Sequence, residues 1–170
     1  EALIKYLGHR STGRPGSWSS GREALTATIR NQTGHPPDGL VVADGSGMSR
    51  NNRIPPSLMT QWLDALADGS AAAERFDESL ATPGEGTLRS RFRTRDLHDC
   101  QVLAKTGYIR QVSALSGYVI APDGRRIAFC VIGNDLKNIR RCKALQEDVV
   151  AAIAAELDRS EVTAGVSADR

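Results

Sequence analysis

Two short motifs in the sequence combine residue types that can act together on a peptide or acyl substrate. The first is Lys105-Thr106-Gly107, which joins an apolar run to a segment rich in β-forming residues. Burying a lone ammonium is costly, so a lysine is uncommon in a strand that faces a core. On a strand, the ammonium can supply positive potential and the threonine hydroxyl can bind an anionic group. The glycine, which lacks a Cβ, can let a substrate backbone approach the strand edge.

The second motif is Ser49-Arg50-Asn51, a Ser-X-Asn sequence on a glycine-flanked loop that follows the apolar run LVVAD. A hydroxyl can take part in proton transfer, and an amide side chain can hydrogen-bond a substrate amide. Asn52 lies next to Asn51, and the sequence leaves open which of the two asparagines faces a site.

Other residues with chemical potential do not form a recognisable site. Neither the three histidines nor the three cysteines have the spacing of metal ligands, so we expect no metal site and no cofactor. An odd number of cysteines allows at most one disulfide, and we expect all three to be small buried residues. The sequence also lacks a phosphate-binding loop and a G-X-S-X-G nucleophile elbow. The residues concerned are His9, His35, His98, Cys100, Cys130 and Cys142.

Composition and charge limit the class of protein. The 170 residues are 40% hydrophobic and 25% charged, which is ordinary for a globular domain. A net charge of +2 with both signs interspersed does not indicate a nucleic-acid-binding surface. No run of about 18 apolar residues is present, so no membrane span is predicted. Four arginines alternate with other residues and would share one solvated face of a strand: Arg89, Arg91, Arg93 and Arg95.

Helices dominate the first half of the predicted secondary structure. The apolar run LVVAD predicts one short buried strand there. Ser19 or Ser20 is a candidate N-cap for the second helix. The predicted helical segments are Glu1–Leu7, Gly21–Asn31, Pro56–Ala67 and Ala71–Leu80.

The second half predicts an antiparallel sheet covered by a helix. Three β-rich runs lie between Val102 and Gly133, and the Pro-Asp-Gly sequence at 122–124 is a turn signal between the last two. Short connections make neighbouring strands antiparallel. A helix with one apolar face is predicted from Leu136 to Leu157. The sequence therefore predicts the α+β class.

Both motifs lie within longer segments that resemble the class C, low-molecular-mass penicillin-binding proteins, the D-alanyl-D-alanine carboxypeptidase/endopeptidase family. These segments are VADGSGMSRNNRIPP, EGTLRSRF and AKTGYIRQVSALSGYVIAPDGRRIAF. The resemblance runs from about Ala2 to Leu157. It implies that residues 1–158 are the C-terminal part of a penicillin-recognising, β-lactamase/transpeptidase-like domain, and we expect residues 159–170 to be a flexible tail.

The resemblance implies a periplasmic or otherwise extracytoplasmic serine hydrolase of peptidoglycan. In that family, the serine of a Ser-X-X-Lys motif attacks the D-Ala-D-Ala carbonyl of a peptide stem and forms an acyl-enzyme, and penicillins acylate the same serine. Ser49 would belong to the proton network and Asn51 would bind the substrate's amide. Lys105 would stabilise negative charge.

The resemblance also implies roles for the residues that follow Lys105. Thr106 would bind the terminal carboxylate, and Gly107 would admit the substrate backbone. The Tyr108 N–H would be one oxyanion donor. The family commonly has a hydroxyl residue where this sequence has the bulkier Tyr108, which leaves endopeptidase action open beside carboxypeptidase action.

The sequence departs from the family's pattern because none of its four lysines is preceded by serine at the third position upstream, so it contains no Ser-X-X-Lys. We therefore expect the nucleophile to lie in an N-terminal part of the same protein, which would be this chain's partner. The sequence starts at Glu1, which agrees with that expectation. Two alternatives stay open: a catalytically inactive homologue that binds peptidoglycan or a protein, and a β-lactamase-like hydrolase.

Overall fold

The structure, a computed structural model, describes residues 1–167, with side chains described as far as Arg159. The chain divides into two compact units, Glu1–Leu66 and the part from Ala67 onward. Each unit carries one of the two motifs. The prediction of one domain over residues 1–158 stays a prediction.

The first unit consists of three helices and a long loop. The helices are α1 (Ala2–Thr12), α2 (Trp18–Thr33) and α3 (Pro56–Leu66). Helix α2 begins three residues before its predicted start, because Ser17 rather than Ser19 or Ser20 is the N-cap. Ser17 and Ser20 form a reciprocal capping box that satisfies backbone N–H groups at the helix start.

Helices α1 and α2 cross at glycines, which allows the two backbones to approach closely. A Cβ on Gly21 would lie 2.2 Å from the Ile4 carbonyl oxygen, and a Cβ on Gly8 would lie 2.6 Å from the Gly21 nitrogen. The first unit is therefore built on a tight helix pair.

The predicted strand at LVVAD is wrong, since this run forms only an isolated bridge. Val41 and Arg53 exchange two backbone hydrogen bonds, of 2.8 and 2.9 Å, and no ladder continues from them. The bridge closes the base of the loop that carries Ser49. The backbone beyond the bridge makes other contacts, since the Ala43 N–H donates to the Asn52 side chain at 2.8 Å.

The second unit is an antiparallel sheet with helices, as the α+β class predicts. Its strands are β1 (Gln101–Ile109), β2 (Val112–Ile120) and β3 (Arg126–Gly133), which pair in that order. Lys105 lies opposite Ser116, and Leu115 lies opposite Val131. The Pro-Asp-Gly turn between β2 and β3 is confirmed by a 2.9 Å hydrogen bond from the Gly124 N–H to the Ala121 carbonyl. The helical elements of this unit are α4 (Ala71–Glu78), a 3₁₀ turn (Gly86–Leu88) and α5 (Ile139–Ser167).

One face of the sheet packs on α5 and forms the core of this unit. Buried positions alternate along β2 from Ser113 to Gly117, but Tyr118 and Val119 are both buried, so both faces of the strand are covered near its end. The side chains on the face towards α5 include Leu115 and Val119. They meet apolar residues of α5 and of the 3₁₀ segment. The main members of this core are Leu88, Phe92, Val102, Ala104, Leu115, Val119, Phe129, Val150, Ala154 and Leu157.

The predicted solvated arginine strand is wrong, because residues 89–95 form turns after the 3₁₀ segment. Arg91 is buried and forms an ion pair with Glu147 of α5. Its guanidinium also donates to the Lys143 carbonyl at 2.9 Å and to Gln146 Oε1 at 3.3 Å. Arg91 therefore fastens this segment to α5.

Helix α5 begins at Ile139, three residues after its predicted start, and is helical as far as Ser167. The prediction of a flexible tail over 159–170 stays untested, since side chains from Ser160 and the backbone of 168–170 lie outside the described residues. Within the described part of the chain, no helix has both the length and the apolar character needed to cross a bilayer.

Candidate active site

Asp44 organises the loop that carries Ser49. Its carboxylate accepts hydrogen bonds from three successive backbone N–H groups, those of Gly47 at 2.9 Å, Met48 at 3.1 Å and Ser49 at 2.7 Å. It also accepts a bond from the Ser46 hydroxyl at 3.0 Å. An aspartate that binds backbone N–H groups a few residues ahead is a typical turn device. The Asp-Gly-Ser-Gly sequence therefore folds as a turn closed by its own aspartate.

Asn52 completes this loop from its other end. Its Nδ2 donates to Asp44 Oδ1 at 2.8 Å, and its Oδ1 accepts from the N–H groups of Ala43 at 2.8 Å and Asp44 at 3.3 Å. The amide of Asn52 is therefore engaged inside the loop. The Asn51 side chain is exposed, and its role in binding a ligand stays a prediction.

Ser49 is half-buried, and each of its polar groups has a neighbour in the loop. Its Oγ accepts from the Asn51 N–H at 3.1 Å, and its carbonyl accepts from the Asn52 N–H at 3.3 Å. A lone pair and the hydroxyl proton of Oγ are left for other partners. This geometry suits a hydroxyl that passes a proton.

The hydrogen bonds around Asp44 lower its pKa to about 2, and the bond from Asn52 is the largest cause. Those from Ser46, Ser49 and Gly47 act in the same direction. The carboxylate is therefore ionised throughout the neutral range, which keeps it an acceptor for the loop.

Lys105 lies on β1, at the outer edge of the described sheet. Ala104, the residue before it, exchanges two backbone hydrogen bonds with Ala81 on the side away from β2, at 2.9 and 3.0 Å. The N–H and C=O groups of successive residues in a strand point to opposite sides. Those of Thr106 and Tyr108 therefore point to the same side as those of Ala104, away from β2. The open part of this edge therefore begins at the Lys-Thr-Gly motif.

Lys105 and Tyr108 are exposed in this part of β1, and Thr106 is half-buried. Lys105 is exposed, and its Nζ donates to the Thr106 carbonyl oxygen at 2.7 Å. Tyr108 is 64% exposed. A Cβ on Gly107 would lie 3.3 Å from the Ala114 Cβ, so a larger residue at position 107 would crowd the neighbouring strand. The strand thus offers a cation, a hydroxyl and outward backbone N–H groups to a ligand.

The structure brings the predicted residues together in two groups. Ser49 and Asn51 lie on one loop of the first unit, and Lys105 to Tyr108 are consecutive on β1 of the second unit. A single site that uses both groups stays a prediction. The sequence reasoning missed Asp44, although an aspartate before Gly-Ser-Gly is a recognisable turn signal.

The cysteines do not offer an alternative nucleophile. All three are free. Cys100 and Cys142 are buried as predicted, but the prediction is wrong for Cys130, which is half-buried. Burial raises the pKa of Cys130 to about 11 and also raises that of Cys100. A raised pKa keeps the thiols of Cys100 and Cys130 protonated at neutral pH, and burial keeps Cys142 away from a substrate. Among the described residues, no group of three or more His, Cys, Asp or Glu side chains could hold a metal ion.

Comparison with known proteins gives one family and one fold. The family model described as "D-Ala-D-Ala carboxypeptidase 3 (S13) family" matches residues 1–157. A D-alanyl-D-alanine carboxypeptidase from an Actinomadura species is 35% identical over 140 residues, which are 79% of this chain and 25% of that protein. The carboxypeptidase DacB of Mycolicibacterium smegmatis is 30% identical over 128 residues, 72% of this chain and 28% of that protein.

Among solved structures, penicillin-binding protein 4 from Haemophilus influenzae, in complex with a β-lactam, matches with a TM-score of 0.71 and 24% identity. The match covers 92% of this chain and 37% of that one. It confirms the penicillin-recognising fold. This chain spans about a quarter of the length of the curated relatives it matches.

Proposed function

The chain belongs to the D-Ala-D-Ala carboxypeptidase 3 (S13) family, and on that premise we propose that it is part of a serine-type D-Ala-D-Ala carboxypeptidase/endopeptidase. Its substrates are peptidoglycan peptide stems, and β-lactams acylate it. The observation that carries the proposal is the family match over residues 1–157, which includes both motifs. The protein works outside the cytoplasm, where peptidoglycan is found.

In this proposal, the nucleophile is the serine of a Ser-X-X-Lys motif supplied by another part of the same protein. Its oxygen forms a bond to the carbonyl carbon of the penultimate D-Ala, and the Tyr108 N–H stabilises the resulting oxyanion. The serine proton passes through a network that includes Ser49 to the nitrogen of the leaving group. The C–N bond then breaks, and water hydrolyses the acyl-enzyme to release the shortened peptide.

The accessible groups on β1 support the binding part of the proposal. The Lys105 ammonium supplies positive potential beside the oxyanion, and the Thr106 hydroxyl binds the terminal carboxylate. Gly107 lets the substrate backbone lie along the strand, and Asn51 binds the amide of the acyl side. Tyr108 is a bulky residue next to the proposed carboxylate subsite. The proposal therefore includes cross-linked peptides, which are substrates of an endopeptidase, beside peptides with a free terminal carboxylate.

The test is the intact mass of the full-length protein before and after incubation with benzylpenicillin, followed by peptide mapping to locate any adduct. The proposal predicts a persistent penicilloyl adduct on a peptide upstream of Glu1, with this chain unlabelled. Absence of an adduct in folded, full-length protein would favour an inactive homologue that binds peptidoglycan or a protein partner. Rapid turnover of the penicillin without an adduct would favour a β-lactamase-like hydrolase.

A further inference from the structure

We propose that Asp44 is a positioning residue for the reaction, and that its carboxylate sets the place of Ser49 and thereby the rate of acylation. This inference rests on the proposed function, because Ser49 has its role only there. Asp44 is directed into its own loop, so its effect on the chemistry passes through Ser49.

One carboxylate oxygen holds the residues just before and at Ser49. Asp44 Oδ2 accepts from the N–H groups of Ser49 at 2.7 Å and Met48 at 3.1 Å, and from the Ser46 hydroxyl at 3.0 Å. Hydrogen bonds to an ionised acceptor are roughly twice as strong as neutral ones. The bond to the Ser49 N–H is the shortest of the set, so it fixes the backbone from which the catalytic hydroxyl projects.

The other oxygen ties the two ends of the loop together. Asp44 Oδ1 accepts from the Gly47 N–H at 2.9 Å and from Asn52 Nδ2 at 2.8 Å. The Asn52 N–H in turn donates to the Ser49 carbonyl at 3.3 Å. Asp44 therefore binds the Ser49 N–H directly, and Asn52, which is bound to Asp44, binds the Ser49 carbonyl.

This arrangement needs a carboxylate and not merely a polar side chain of the same size. All five partners of Asp44 act as donors, and an ionised carboxylate is a pure acceptor. An asparagine at position 44 would replace one oxygen with an NH₂ group. If the NH₂ group occupied the position of Oδ2, two donors would face each other, the NH₂ group and the Ser49 N–H. At the Oδ1 place, it would oppose the Nδ2 of Asn52.

The Val41–Arg53 bridge and the Asn52 side chain hold the base of the loop, while the segment just before Ser49 is held by the Asp44 carboxylate and contains two glycines. Gly45 and Gly47 flank Ser46, and Gly47 has a φ of 74° with open space around it. A glycine-rich loop has many accessible backbone conformations, so its shape depends on the bonds that close it. Loss of the Asp44 bonds is therefore expected to move Ser49 by a fraction of an ångström or more.

The experiment compares wild-type full-length protein with the Asp44→Asn variant in benzylpenicillin acylation, resolving non-covalent affinity from the acylation rate constant. A displacement of about 1 Å can reduce a rate by about a hundredfold. We expect the rate constant to fall at least tenfold, while the affinity changes less than threefold. Asp38→Asn, an exposed carboxylate of the same unit, is the matched control and should leave both unchanged.

A double-variant measurement separates positioning from general damage to the fold. If Asp44 acts through Ser49, then Asp44→Asn should have little further effect on the rate in a Ser49→Ala background. Full additivity of the two rate losses would overturn the inference. If Asp44→Asn does not fold, Asn52→Asp is used instead. It disrupts the contact between residues 44 and 52 by placing two carboxylates together. An unchanged acylation rate constant in that variant would also overturn the inference.

The outcomes distinguish this inference from the function on which it rests. If wild-type protein is not acylated, the proposed function is wrong and the role of Asp44 falls with it. If wild-type protein is acylated and folded Asp44→Asn is acylated equally fast, the function stands and only the positioning role is wrong.

Discussion

Replacing Glu147 with alanine should destabilise the protein strongly, because it would leave Arg91 buried without its counter-ion. The Arg91 side chain is 8% exposed and that of Glu147 is 16% exposed. Breaking a buried ion pair by removing one partner typically costs about 3–5 kcal/mol. The Lys143 carbonyl and Gln146 Oε1 would still accept from the guanidinium. These neutral acceptors place the expected loss at the lower end, about 3 kcal/mol.

The assay is equilibrium denaturation in urea, and a second ion pair on the same helix provides the control. Arg95 Nε lies 2.8 Å from Asp148 Oδ1 without hydrogen-bond geometry, and the two side chains are 26% and 58% exposed. Exposed pairs contribute about 0–1 kcal/mol, so Asp148→Ala should have a small effect. The pair Arg91→Met with Glu147→Leu removes both charges and should cost less than Glu147→Ala alone.

Two results would refute this reasoning. One is a Glu147→Ala loss no larger than that of Asp148→Ala, which would mean that water or rearrangement compensates the Arg91 charge. The other is a double variant less stable than Glu147→Ala, which would mean that shape rather than charge dominates the contact.

Three further predictions concern the sheet, the site and the loop. Gly117→Ala should lower the free energy of unfolding by at least about 2 kcal/mol, measured in urea, because its Cβ would lie 2.0 Å from the Leu103 carbonyl oxygen. Lys105→Ala should change stability by less than about 1 kcal/mol, since the side chain is exposed, while it slows acylation by penicillin at least tenfold. The loop at Asp44 should keep its structure on acidification through pH 3.8 and lose it only as the pH falls through about 2, as followed by the Ser49 amide resonance.

Each of these three predictions has a clear contrary outcome. A Gly117→Ala variant as stable as the wild type would show that β1 and β2 can separate locally. An unfolded Lys105→Ala variant would show that the lysine is structural. The Asp44 prediction follows from its lowered pKa, because a depressed folded-state pKa stabilises the fold above the unfolded value of 3.8 and ceases to do so below about 2. A loop transition centred near pH 4 would contradict it.

The sheet was predictable because its signals are local. Each strand is a β-rich run, and the Pro-Asp-Gly sequence marks the turn that pairs β2 with β3. The run LVVAD carries a similar apolar signal, but a strand also needs a partner of matching length. Val41 finds only Arg53, so an isolated bridge forms instead. Local pattern alone could not supply that information.

The site was predictable as motifs but not as contacts. The sequence could not choose between Asn51 and Asn52, because the choice depends on how the loop closes on Asp44. The burial of Arg91 depends on Glu147, which lies 56 residues further along the chain. An alternating arginine pattern indicates a strand face only where a strand exists, and the chain turns there.

The short pairing between Ala81 and Ala104 has a consequence for solubility. An unpaired strand edge is a template on which other chains can add strands and aggregate. Here the outer edge of β1 is paired at Ala104 through an isolated bridge, and Lys105 is the next residue along the strand. A charged side chain at an edge opposes such association. We therefore expect Lys105, the lysine proposed to serve the reaction, also to disfavour the addition of a second copy of the protein to this strand edge.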